Sequence, residues 1–191
     1  MQVGKTSSGP RDDPRPPGFA VWMTGLPGSG KSTLAKLLEA RLREEHGRRV
    51  EVLDGDEVRK GLSRDLGLSK EDREEHARRV SYVAKVLARN GVVAIVALIS
   101  PYRKSRSEAR EMIGPERFVE VYVRAPLSVC ERRDPKGLYA KARRGEIDNM
   151  TGIQHPYEEP EAPDLVVDTS ENAPETSVNE LLSGLRRLGK L

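Results

Sequence analysis

The chain has 191 residues, 36% of them apolar and 33% charged, which suits one domain with its own core and a heavily charged surface. Its 33 lysines and arginines exceed the 30 acidic residues by only three, and this spread-out excess points to a solvated mixed-charge surface, with no nucleic-acid partner expected. One cysteine, Cys130, excludes an intramolecular disulfide and a cysteine metal cluster; the N-terminus lacks an apolar signal core, and no run approaches the roughly 20 residues of a membrane span, so a cytoplasmic protein without membrane contact is expected.

Residues 1–17 are rich in Pro, Gly, Ser and charge and are expected to form a disordered lead-in, with the folded domain over 18–191. FAVWMT (19–24) reads as an apolar strand. GLPGSGKS leads from it into a helix over 31–46 with Leu34, Leu37, Leu38 and Leu42 on one face. VEVLD (50–54) is a second strand. Residues 69–89 form a long amphipathic helix with Ser69 as its N-cap and Gly91 as its stop. VVAIVAL (92–98) is apolar throughout, as a strand covered on both faces should be. SRSEAREMI is helical, RFVEVYV (117–123) is a fourth strand, and APLSVCERR is a short helix. DLVVDT (164–169) is a fifth strand. The last helix, TSVNELLSGLRRL, would bury Leu181, Leu182, Leu185 and Leu188 against the sheet or across a dimer contact.

Strands alternating with helices predict an α/β fold, a parallel sheet of about five strands flanked by helices. The stretch 133–163 is long, polar and broken by Gly and Pro. A structureless segment of that length in a small domain reads as a lid, placed over about 133–160. Trp22 and Cys130 are expected in the core, and Tyr139 is expected to anchor the lid by packing.

Gly25-Leu26-Pro27-Gly28-Ser29-Gly30-Lys31-Ser32 matches GxxxxGK[ST] between a strand and a helix, the context this P-loop motif needs. The glycines let backbone N–H groups turn onto phosphate oxygens, and the helix N-terminus adds partial positive charge. Lys31 places a cation on the β- and γ-phosphates, and the Ser32 hydroxyl can ligate Mg2+, so ATP with magnesium is the expected nucleotide. A guanine-reading NKxD is missing from the sequence, and a motor ATPase needs a longer chain. A small-molecule kinase of the P-loop NTPase type fits best.

Asp54 and Asp56 close the second strand, and ligands of a parallel sheet sit past such strand ends. Either carboxylate could accept a proton from an acceptor hydroxyl, hold Mg2+ through water, or cap a helix starting near Glu57. For Asp54 a cap and a chemical role stand level; Asp56 is assigned to chemistry. Arg59 could grip an anionic acceptor by its planar fork. Arg73 and His76 lie three apart on one helix face and could complete a cationic cup.

GLPGSGKST, LDGDEVRKGL, ISPYRKSR, RDPKGLYAKARRGEIDNMTGI and PYEEPEAPDLVVDT together resemble the adenylylsulfate kinase family, in that family's order and spacing, over roughly residues 18–170. The resemblance implies transfer of the ATP γ-phosphate to the 3′-hydroxyl of adenylyl sulfate (APS), giving 3′-phosphoadenylyl sulfate (PAPS), by a homodimer with a mobile lid. It implies that Gly28, Ser29, Gly30, Lys31, Ser32 and Thr33 bind the ATP phosphates, and that Arg133, Asp168 and Thr169 lie along the rest of the nucleotide. Asp56 is the implied base or Mg2+ organiser beside Ser32. Arg59, Arg73, His76, Ile99 and Asn149 are implied to face the acceptor, and Lys136 of the lid to reach the phosphates or the acceptor. Ser100 matches a serine described in the family as a phosphoserine intermediate. Direct in-line transfer needs only positioning and charge neutralisation, and no base adjoins Ser100 in sequence, so a structural hydroxyl near the phosphates is the preferred reading.

The chain departs from the family pattern at two stacking positions, where Leu68 and Met150 replace aromatics, and at His76, which replaces a frequent Asn. Base–aromatic stacking is worth about 1–3 kcal/mol per base, and an aliphatic cover keeps part of that. A weaker grip on APS is therefore expected, by about tenfold in affinity per 1.4 kcal/mol. The alternatives are a kinase of the same fold acting on another nucleotide-like acceptor, such as a cytidine diphosphate derivative, or a non-catalytic nucleotide-binding regulator. Retention of Lys31, Ser32, Asp56, Arg59 and Lys136 speaks against the regulator.

Overall fold

The computed structural model describes residues 16–191, so the expected lead-in lies outside the described residues except for Pro16 and Pro17. Five strands, β1 (Ala20–Thr24), β2 (Arg49–Asp54), β3 (Val92–Ala97), β4 (Phe118–Arg124) and β5 (Leu165–Asp168), form one sheet. Their order is β2-β3-β1-β4-β5 and every pairing is parallel. Seven α-helices complete the described chain: α1 (Lys31–His46), α2 (Gly55–Gly61), α3 (Lys70–Arg89), α4 (Arg103–Ile113), α5 (Leu127–Arg133), α6 (Leu138–Arg143) and α7 (Pro174–Arg187).

The period-two geometry of β1 explains the layers. Val21 and Met23 point into one apolar cluster, with Leu34, Leu38 and Leu42 of α1 and Leu181, Leu182 and Leu185 of α7. Ala20 and Trp22 point into the other, with Val80 and Ala84 of α3 and Ala109 and Ile113 of α4. Every residue of β1 is buried, as the middle strand of a sheet covered on both sides requires. Each fully buried large side chain contributes about 1.5–3 kcal/mol, so the central sheet is the rigid frame on which the loops stand. Ser69 caps α3, its hydroxyl accepting the Asp72 N–H at 3.1 Å, and Gly91 turns the chain out after that helix at φ +73°.

Three expectations are corrected. The segment 133–163 is not structureless, because Asp134 accepts the Tyr139 and Ala140 N–H groups at 3.1 and 3.0 Å and so starts α6. That helix and the following turn bury Tyr139, Ala142 and Met150 with Ala125 and Cys130 in a small cluster of their own. Leu188 caps the C-terminal end of α7 and stays 40% exposed, so it is outside the buried face that Leu181, Leu182 and Leu185 form. Glu57 lies inside α2, which begins two residues earlier at Gly55, with Asp54 as its N-cap.

Candidate active site

All loops that follow the strands emerge at the carboxyl ends of the parallel strands, and the P-loop after the middle strand β1 is central among them. Gly28 and Gly30 take φ +77° and +98°, left-handed conformations that glycine adopts without strain. A Cβ on Gly28 would meet the Cys130 carbonyl oxygen at 3.1 Å. No side chain caps the start of α1, so its first N–H groups and the positive end of its dipole face the loop, as an anion site requires. The buried Lys31 ammonium lies beneath the loop and donates to the carbonyls of Gly25 and Leu26, both at 2.8 Å. Burial pulls its pKa down to about 8.

Asp54 sits where β2 ends, half-buried, and uses both oxygens. One accepts the Ser32 hydroxyl at 2.6 Å, and the other accepts the Asp56 N–H at 3.0 Å. Asp56 is exposed and paired with Lys136 in the turn between α5 and α6. Ser32 meets Asp54 rather than Asp56. Thr33 is exposed in the first turn of α1.

Arg73 is buried and joins two segments: its Nε donates to the Leu68 carbonyl at 3.0 Å and its Nη2 to the Asn149 carbonyl at 2.6 Å. Arg59 donates to the Gly67 carbonyl at 2.9 Å. Leu68 is 48% exposed whereas Met150 is 5% exposed, its side chain taken into the lid cluster, so the two replacement residues do not present equal faces. His76 is buried, with Nδ1 at 2.9 Å from the Ser63 hydroxyl and Nε2 without a partner. Burial, then the charges of Arg59, Arg79 and Arg73, pull its pKa down to about 4, so the imidazole is neutral.

Ser100 is buried and its hydroxyl accepts the Trp22 indole N–H at 3.2 Å. Beside it, the Ile99 carbonyl accepts the Thr24 hydroxyl at 2.7 Å. Thr169 donates its hydroxyl to the Ser29 carbonyl at 2.7 Å and its carbonyl accepts from Arg133. Asp168 accepts from Arg124 and from Ser170 N, so it is a corner of the turn after β5. Tyr139 adds a lid contact, its hydroxyl donating to the Pro27 carbonyl at 2.9 Å. Sequence reasoning missed Thr24, Arg106, Tyr157 and Glu158, whose partners lie far along the chain and leave no local spacing signal.

The arrangement is a P-loop with a buried lysine, an uncapped helix start and a serine–aspartate pair beside it, the groups that bind and transfer a phosphoryl group in P-loop kinases. It defines a P-loop phosphotransferase. The chain belongs to the adenylylsulphate kinase family, whose model matches residues 17–168. It is 54% identical over 172 residues to the adenylyl-sulfate kinase of Halothermothrix orenii, covering 90% of this chain and 91% of that relative. Its fold is similar to the Mycobacterium tuberculosis APS kinase CysC in complex with AMPPNP and APS, with a TM-score of 0.85 and 47% identity over 90% of this chain and 99% of that one. A hexameric APS kinase from Thiobacillus denitrificans is also similar, with a TM-score of 0.71 and 38% identity over 93% of this chain and 30% of that one.

Proposed function

We infer that the protein transfers the γ-phosphate of ATP to the 3′-hydroxyl of adenylyl sulfate, giving 3′-phosphoadenylyl sulfate. The observation that carries this reading is the continuity of the site from Ser32 through Asp54 to Asp56. It sets the Asp56 carboxylate, exposed and paired with Lys136, beside the place where the P-loop presents a terminal phosphate. Phosphoryl transfer needs positioning and charge neutralisation above all. Lys31, with the N–H groups of residues 28–33, supplies these for the donor. Arg59 and Arg73 supply charge for the acceptor and the neutral His76 positions it, with Ile99, Leu68 and Asn149 as its walls and Met150 behind them in the lid cluster. Asp56 accepts the proton of the attacking hydroxyl. Lys136 swings from Asp56 to the transferring charge. Arg133, Asp168 and Thr169 shape the nucleotide end.

The hard oxygen donors of Ser32 and Asp54, 2.6 Å apart, fit a magnesium ion shared with the phosphates, and they take the place assigned above to Ser32 and Asp56. Mg2+ held there would neutralise phosphate charge. Ser100 is a structural residue in this reading, because its hydroxyl is engaged with Trp22 and no base lies against it.

The folded unit is assigned to 18–191 with 133–160 as its lid, acting as a homodimer in the cytoplasm. No helix among the described residues is long and apolar enough to cross a membrane, and sedimentation distinguishes a dimer from a hexamer.

The half-exposed Leu68 favours one second reading, an acceptor with a smaller base, such as a cytidine diphosphate derivative. Comparing kcat/KM for adenylyl sulfate with that for cytidine diphosphate derivatives decides between them. A clear preference for the cytidine compounds would overturn the first reading.

A further inference from the structure

Between β3 and α4 the backbone passes through Ser100 at φ +43°, in the left-handed region. A residue with a Cβ stays there only where its surroundings hold it. Here the holding groups can be named. The Ser100 carbonyl accepts from Arg106 Nη1 at 2.6 Å and lies 3.3 Å from the Thr24 hydroxyl oxygen. The carbonyl of the next residue, Pro101, accepts the Glu158 N–H at 2.8 Å.

Arg106 is the hub of this loop. It is 3% exposed, and besides Ser100 it donates from Nε to Glu120 Oε1 at 2.8 Å and from Nη2 to the Glu158 carbonyl at 2.7 Å. A guanidinium alone among side chains offers donors in three directions from one plane, and the Glu120 carboxylate offsets its buried charge. Tyr157 adds a second tie, its hydroxyl 2.9 Å from Thr24 Oγ1. Thr24 has one hydroxyl proton, and that proton is directed at the Ile99 carbonyl at 2.7 Å, so Tyr157 is the donor. Glu158 is pinned again through its carboxylate, which accepts the Arg103 N–H at 2.8 Å.

Tyr157 and Glu158 lie just after the Thr151–His155 bridge, near the C-terminal end of the segment assigned above as the lid. The residues that hold the lid down at this end are therefore the same ones that hold the Ile99–Ser100 turn. We propose that Arg106, with Tyr157, is a positioning residue that ties the C-terminal end of the lid to the acceptor wall and so governs acceptor use without touching either substrate. The claim rests on the acceptor reading given above for Ile99.

Two variants test it. Arg106→Lys keeps a positive charge facing Glu120 but offers donors from a single point, so it cannot serve both carbonyls. Tyr157→Phe removes only the hydroxyl. In wild type and variants, KM for ATP, KM for adenylyl sulfate and the rate of tryptic cleavage within the lid are measured, with melting curves to confirm folding. The expected result for Arg106→Lys is a rise of about tenfold in KM for adenylyl sulfate, less than about twofold in KM for ATP, and severalfold faster lid cleavage. Tyr157→Phe should move the same quantities less, in the same direction. A folded Arg106→Lys protein with unchanged lid cleavage, or with both KM values raised equally, would overturn the proposal. Lid cleavage requires no turnover, so a wild type inactive on adenylyl sulfate would sink the acceptor reading while the claim about the end of the lid is still decided.

Discussion

The Ser32 hydroxyl donates to Asp54 Oδ2 across 2.6 Å, and this bond joins the first turn of α1 to the last residue of β2. The other Asp54 oxygen accepts the Asp56 N–H, so a single carboxylate sets the P-loop serine and the start of α2 together. Asn caps helices as well as Asp does, whereas Ala loses about 1 kcal/mol as an N-cap. Asp54→Asn should therefore melt close to wild type, and Asp54→Ala a few degrees lower, about 2–4 °C. Both should lower kcat by about a hundredfold, because the charge next to the phosphates is lost in each. Melting curves and steady-state kinetics on the pair separate the cap from the chemistry.

The Asp56–Lys136 pair is exposed on both sides, with 65% and 56% of the two side chains accessible. Exposed pairs contribute about 0–1 kcal/mol to stability. Asp56→Ala should leave the melting temperature nearly unchanged while lowering kcat by about 10²–10⁴, the usual range for a lost general base. An unchanged kcat would remove Asp56 from its assigned role.

Lys31 makes nucleotide binding proton-linked. Its pKa in the folded protein, about 8, lies below its ordinary 10.5. Between those values the unfolded chain holds a proton that the folded chain has released, so this lysine's contribution to stability rises with pH across that interval. Bound polyphosphate favours the ammonium and reverses the shift. ATP affinity should fall as pH climbs above about 8, with proton uptake on binding at pH 9. Titration calorimetry in two buffers of different ionisation heat reads this directly, and Lys31→Met should abolish the uptake.

His76 acts in the opposite pH range. Its pKa is held near 4, against an ordinary 6.5, by burial first and by Arg59, Arg79 and Arg73 after it. As pH falls through 6.5 the unfolded imidazole gains a proton that the folded one refuses, so stability is lost down to about pH 4. His76→Asn should flatten the fall in melting temperature over that range relative to wild type. Parallel curves for the two proteins would contradict the neutral assignment.

Leu68 and Met150 should respond differently to restoration of an aromatic. Leu68 stands half in solvent, and Leu68→Phe should lower KM for adenylyl sulfate by about tenfold, within the 1–3 kcal/mol range of base stacking. Met150 fills the lid cluster, where a larger ring overpacks at about 1–3 kcal/mol. Met150→Phe should therefore lower the melting temperature and gain less in KM.

The central sheet was legible because buried parallel strands are apolar along their whole length, as VVAIVAL is, and because the P-loop joins a strand to a helix at fixed spacing. The pairing of Asp54 with the start of the next helix was legible because Asp54 closes a strand and a helix follows it directly, and its oxygen accepts the Asp56 N–H. The lid helix was not, because six residues with two charges carry too little periodicity; its start depends on one carboxylate, Asp134. The packing of Met150 with Tyr139 and Cys130 was not legible, because it is set by tertiary contacts that no local spacing encodes. The Arg106 network joins residues separated by up to 133 positions, from Thr24 to Tyr157, and no local pattern encodes such contacts.

The most direct test is ADP release from Mg-ATP with and without micromolar adenylyl sulfate, with the product identified chromatographically. The account predicts release that depends on adenylyl sulfate and a product carrying the new phosphate at the 3′-position. A folded protein that binds ATP but releases no ADP with adenylyl sulfate, while phosphorylating a cytidine diphosphate derivative, would contradict it.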